Sequence, residues 1–237
     1  MSQGSNSSGG GGSGNTVATS VITQAGVEVN LSESPLVYSD PKNGFDEHTK
    51  EVISQFVKDA VKYKSERGII LDANGNQIGD VRVGKVGSVY NPTTMDTEIT
   101  GHTHARGKGQ EDIIGGTFSI QRGDMSNFVN NDHANTKFAV GPEGTYSITK
   151  KSNWDGQGFL SYMTDQHKQR QSERANRMKP YGQALNRGDI NYTEYTKINH
   201  ADFNRFLVDL HNDMLAGQKK YGYSYGLDPS IKLRRGK

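Results

Sequence analysis

Two histidines separated by a single residue, in Gly101-His102-Thr103-His104, are the feature of this chain best suited to chemistry. Side chains of an extended strand repeat every second position, so both imidazoles leave one face and can reach one metal ion. A catalytic zinc site keeps three protein ligands and leaves a fourth position for water, so a third ligand and a base are needed. Asp124, in Ser119-Ile120-Gln121-Arg122-Gly123-Asp124, is a suitable oxygen donor, and Glu66 is a suitable base. The competing reading is plain. His-x-His pairs occur in cores and on surfaces without metal, and Glu66 beside Arg67 also reads as a solvated ion pair worth under about 1 kcal/mol.

The elements that would position these residues follow from periodicity. Between Asp46 and Lys64, the residues Val52, Ile53, Phe56, Val57, Ala60 and Val61 recur at three and four, which predicts an amphipathic helix. The period then changes. Gly-Ile-Ile-Leu-Asp-Ala-Asn-Gly-Asn-Gln-Ile-Gly-Asp-Val reads as a hairpin turning at residues 72–76, with Glu66 at its start. Further strands are expected over Gly-Ser-Val-Tyr-Asn (87–91) and Thr-Glu-Ile-Thr-Gly-His-Thr-His (97–104). A glycine-rich loop spans 105–116, and Phe-Ala-Val and Thr-Tyr-Ser-Ile flank a turn at 141–144 as a second hairpin. Helix, hairpins and strands in one core give an α+β fold, with a helical C-terminal extension.

Four segments are expected: a Gly/Ser leader over 1–15, an N-terminal arm over 16–45, a catalytic domain over 46–150, and a helical extension with a basic tail over 151–237. In the extension, Gln166 to Lys179 is polar and basic and reads as a solvated helix that Pro180-Tyr181-Gly182 breaks. Phe203, Phe206, Leu207, Leu210 and Met214 mark a packed helix that ends in a loop at Tyr221-Gly-Tyr-Ser-Tyr-Gly. His133 reads as a loop residue. His200, Asn204 and His211 lie on one helical pattern, which does not suit the ββα-metal frame of His-Asn-His nucleases. Trp154 and the tyrosines read as packing.

Composition narrows the classes. A chain of 237 residues with 32% hydrophobic content can bury one core. Lysine and arginine number 28 against 26 acidic residues, a net charge of +2 that selects neither nucleic acid nor an anionic membrane as partner. There is no cysteine, so disulfides are excluded and any metal takes nitrogen and oxygen ligands. No apolar run reaches the roughly 20 residues that span a bilayer, and no secretory signal opens the chain, so a protein soluble in the cytoplasm of the producing cell is expected.

The order of the set resembles the JAB/JAMM (MPN-plus) zinc metalloprotease superfamily, in its bacterial toxin-associated and phage-associated branches. Glu66-Arg-Gly-Ile-Ile-Leu-Asp-Ala-Asn-Gly-Asn is similar to the family's glutamate strand and Glu98-Ile-Thr-Gly-His102-Thr-His104 to its histidine strand. Phe118-Ser119 through Asp124-Met125 is similar to its serine and aspartate segment, and Phe138 through Tyr146 to the hairpin that follows. Three departures stand out. Ala105 replaces the usual proline. The stretch from His104 to Asp124 is long, which leaves Asp112 and Glu111 as competing ligands. Ser119 precedes Asp124 by five positions rather than three, where Gln121 sits, so either could serve the oxyanion.

The resemblance implies a mixed β-sheet flanked by helices, and a zinc-dependent peptidase or isopeptidase. His102, His104 and Asp124 would hold zinc, Glu66 would carry the proton, and Ser119 would stabilise the oxyanion. The implied partners are a protein or peptide substrate, a secretion or contractile injection system for delivery into a target cell, and a cognate immunity protein, with no membrane and no nucleic acid. The rival classes are a phage or injection-particle component that uses the same fold, a metal-free scaffold, and a metal-dependent nuclease.

Overall fold

The computed structural model describes residues 45–63, 65–85, 88–104, 118, 123–142 and 144–233, and the backbone alone at 20–22 and 28–30. The leader, Ser119, Gln121, Glu111, Asp112, Ala105 and residues 234–237 lie outside the described residues. Within the N-terminal arm, β1 (Ser20–Ile22) and β2 (Glu28–Asn30) form their own antiparallel pair.

The predicted helix is α1 (Glu47–Ala60), capped by Asp46, whose carboxylate accepts from the Thr49 amide at 2.7 Å. Next come β3 (Arg67–Leu71) and β4 (Arg82–Val83), which pair antiparallel. Asp72 organises the turn after β3, accepting from the amides of Asn74 and Asn76, while Gly75 takes the left-handed conformation at φ 80°. β5 (Ile99–Thr103) carries the first histidine and α2 (Asp124–Val129) the aspartate. β6 (Thr136–Val140) and β7 (Thr145–Lys150) form the second expected hairpin. Two long helices follow, α3 (Gly156–Arg187) and α4 (Tyr192–Tyr221), and then β8 (Tyr223–Asp228).

Six strands make one mixed sheet in the order β4-β3-β5-β6-β7-β8, in which β5 and β6 run parallel and the other pairs antiparallel. The fold is therefore α+β, as the sequence predicts. One face buries Ile69, Leu71, Ile99, Phe138 and Val140 against Ile53, Phe56 and Val57 of α1. The other face presents Ala139, Tyr146, Ile148, Tyr223, Tyr225 and Leu227 to α2, α3 and α4. Phe138 on β6 stands opposite Gly101 on β5, and a Cβ on Gly101 would lie 2.2 Å from its ring. Glycine is therefore required at the step before His102.

Several expectations are corrected. The loop after α4 is the edge strand β8: Gly222 turns the chain at φ 67°, and the alternating Tyr223, Tyr225 and Leu227 then fit the free edge of β7. Pro180 lies inside α3 and does not break it, because Met178, Tyr181, Ala184 and Leu185 are held against Ile190, Ile198 and Tyr195 of the facing segment. The basic run of α3 is only partly solvated: Lys168 and Lys179 are exposed, but three arginines are paired with α4. Arg170 grips Asp213 at 2.8 Å, and Arg174 and Arg177 meet Asp202, which is 1% exposed. Of the strand expected over 87–91, the described residues 88–91 form only a bridge from Ser88 to Lys85; Asn91 turns its side chain into the sheet and Pro92 follows it. The basic tail begins docked: Leu233 is buried, and its amide donates to Gly141 O at 2.9 Å. His200, Asn204 and His211 lie on α4, where His211 meets the Tyr225 hydroxyl at 2.7 Å in the core, and Trp154 packs on Phe128, Phe159 and Tyr223.

Replacing Gly101 by alanine is expected to cost about 2–3 kcal/mol, as overpacked core sites do, and to lower the urea unfolding midpoint. An unchanged midpoint would show that the Phe138 ring yields freely.

Candidate metal centre

Strand parity decides which side of the sheet carries the site. Ile99, Gly101 and Thr103 lie on the α1 side, so Thr100 and His102 face α2. His102 is 4% exposed, and burial pushes its imidazole down to about 3, which keeps it neutral with a lone pair available at ordinary pH. His104 follows the strand and is anchored by its amide, which donates to Val140 O at 2.9 Å. The two Nε2 atoms stand 3.0 Å apart.

Asp124 opens α2, and its Oδ1 lies 3.5 Å from His102 Nε2. Nitrogen and oxygen ligands about 2.0–2.2 Å from a tetrahedral metal lie roughly 3.3–3.5 Å from one another, close to the separations of this pair and of the two histidines. The three side chains offer ligand atoms that all fall within 4.8 Å, so this His-His-Asp group can hold a metal ion. The donor set, two imidazoles and one carboxylate, also suits a divalent transition metal.

Glu66 immediately precedes β3. Gly68 pairs with His102 in the antiparallel register, and Glu66, two residues before Gly68, shares its strand face. Its backbone is held by the segment just after β4, the amide donating to Lys85 O at 3.0 Å and the carbonyl accepting from the Gly84 amide at 2.9 Å. Glu66 is 7% exposed, and burial together with the charge of Asp124 raises its carboxyl from 4.5 to about 7, against an opposing pull from Lys137. A carboxyl titrating near neutrality can take up and release a proton under working conditions. Arg67 turns the other way and stacks on the Tyr63 ring at 3.7 Å, so Glu66 is a buried group rather than half of a solvated pair.

The structure thus brings together four of the five residues singled out from the sequence: His102, His104, Asp124 and Glu66. The fifth, Ser119, lies outside the described residues, as does its rival Gln121. Two further residues escaped sequence reasoning. Lys137, on β6, puts its ammonium 3.1 Å from Asp124 Oδ1. The signal was a lysine within the otherwise buried run Thr-Lys-Phe-Ala-Val. Asn91 fills the space left by Gly68, where a Cβ would lie 1.9 Å from its Oδ1, and donates to Gly101 O at 2.8 Å beside His102. Only the strand pairing reveals that role. Comparison with protein-family models, curated proteins and solved structures finds no significant match to this chain.

The Glu66 carboxyl has a stability consequence in metal-free protein. The unfolded chain releases this proton near pH 4.5 and the folded chain near pH 7, so folding loses stability as pH rises across that window. Glu66→Gln is therefore expected to stabilise the chelator-treated protein at pH 8 but not at pH 4. The gain should be about 2 kcal/mol, less than the full shift implies because the neighbouring His104 and Asp124 are only partly buried. Urea denaturation at both pH values reads this directly, and a gain independent of pH would contradict it.

Proposed function

We propose that this protein is a zinc-dependent peptidase or isopeptidase of the JAB/JAMM type. The observation that carries the reading is the convergence of His102, His104 and Asp124, from a strand, its extension and a helix start, beside a buried glutamate poised near neutral pH. A zinc ion held by these three side chains would supply Lewis acidity, which makes water easier to deprotonate and polarises a carbonyl. Glu66 takes the proton from the attacking water and returns it to the leaving amine, a double role that suits a carboxyl titrating near 7. His102, neutral through burial, keeps its lone pair for the metal, and Asp124 contributes the one charged ligand. Ser119 or Gln121 serves the developing oxyanion in this reading.

The substrate class is a protein or peptide carrying an amide or isopeptide bond. The biological setting we propose is a bacterial effector delivered by a secretion or contractile injection system and neutralised in the producer by an immunity protein. Among the described residues, no helix is long and apolar enough to cross a membrane.

Purified protein stripped of adventitious ions and reloaded is expected to carry about one zinc per chain by elemental analysis, lost in the His102→Ala/His104→Ala double variant. Metal that persists in a folded double variant would refute the site. In a second experiment, the loaded protein is offered peptide libraries and conjugates of ubiquitin-like proteins. Glu66→Gln is expected to lower kcat by about 10²- to 10⁴-fold while zinc stays bound. Because Glu66 must be ionised to act as base, kcat/KM should fall as pH drops below a limb at or under about 7, since the metal's charge draws the carboxyl downward. Cleavage indifferent to Glu66, or nucleic-acid degradation that survives loss of His102, would overturn the assignment.

A further inference from the structure

Lys137 is, among the described residues, a buried cation whose position the proposed chemistry does not use. Every residue of β6 is buried, Lys137 among them at 8% exposure, and an ammonium taken out of water is costly unless paired. Its partner among the described residues is Asp124, at 3.1 Å from Oδ1. That oxygen also stands 3.5 Å from His102 Nε2, so the ammonium already engages the atom that a metal would need.

The register explains the placement. Lys137 stands opposite Thr100, and Ala139 stands opposite His102, so the lysine stem rises from the same face two residues before the histidine's neighbour. Asp124 and Glu66 are both carboxylates, and each charge disfavours the other. Lys137 opposes that repulsion at Glu66 as well as pairing with Asp124. A cation is therefore built into the site before any metal arrives.

We infer that Lys137 is the internal counter-cation of this site: it stands in for the metal at Asp124, lets the chain fold without metal, and limits how tightly metal binds. The inference rests on reading His102, His104 and Asp124 as metal ligands. A second positive charge arriving at the same carboxylate oxygen must displace or tolerate the ammonium, and either opposes binding. Removing the ammonium should therefore tighten the metal site while weakening the metal-free fold. A lysine that served only to orient Asp124 would have the opposite effect on affinity.

The test compares wild type, Lys137→Met, which keeps the stem without the charge, and Lys137→Arg, which keeps the charge. Each is stripped of metal, titrated with zinc against a competing chromophoric chelator, and unfolded in urea with and without zinc. Lys137→Met is expected to bind zinc at least about 10-fold tighter, the scale of losing one charge-assisted hydrogen bond, and to unfold at lower urea than wild type only when metal-free. Lys137→Arg should stay near wild type. If metal-free Lys137→Met does not fold, recovery of its circular dichroism on adding zinc supports the inference, and failure to recover overturns it. Weaker or unchanged zinc binding by Lys137→Met, with wild type binding normally, overturns the role of Lys137 alone. Zinc binding by neither protein overturns the metal site as well.

Discussion

The parallel pairing of β5 with β6 is the constraint on which the rest of the structure depends. Antiparallel neighbours can be joined by a tight turn, but a parallel pair requires a crossover that carries the chain back along the sheet. Here the crossover runs from His104 to Thr136 and includes α2, which packs Met125 and Phe128 on the sheet face that carries His102. Asp124 is the first residue of that helix. The same strand pairing therefore fixes the histidines and returns the carboxylate to them. It also aligns Lys137 and Ala139 beside Thr100 and His102, so the charge environment follows from the same ladder.

Burial then determines the protonation states of the groups so collected. His102 is kept neutral because a charged imidazole would be desolvated there, whereas Glu66 is drawn toward its protonated form by burial and by Asp124. Burial extends the neutral state of His102 well below the ordinary imidazole range and moves Glu66 up from the ordinary carboxylate range, the states that the proposed ligand and proton carrier would need. Lys137 offsets part of the negative charge that results. The site is thus balanced among its own residues, and an added cation alters every group in it.

Distant parts of the chain keep this face closed. β8 adds the last strand beyond β7 and contributes Tyr223, Tyr225 and Leu227 to the core shared with α2, α3 and α4. The long helices are joined along part of their length by arginine and aspartate pairs rather than by apolar contact alone. Buried pairs of this kind add little net stability but penalise any other alignment of the two helices, since a shifted register would leave Asp202 or Asp213 buried without a partner.

The sequence by itself determined the local elements and the residue types of the site. The period of α1, the turn at Asp72 to Asn76, the strand carrying His102 and the hairpin at 141–144 are all local signals, each set by side-chain spacing or turn chemistry within a few residues. His102 and His104 could be singled out by type and spacing, and Glu66 and Asp124 by their order along the chain around that pair. Only the tertiary structure decided what depends on contacts between distant segments. Pro180 continues a helix because its neighbours hold it, Tyr223 to Asp228 become a strand because β7 has a free edge, and α3's arginines find buried partners on α4. Lys137 belongs to the same class: its role arises from a cross-strand register and a returning helix, and no local pattern encodes either.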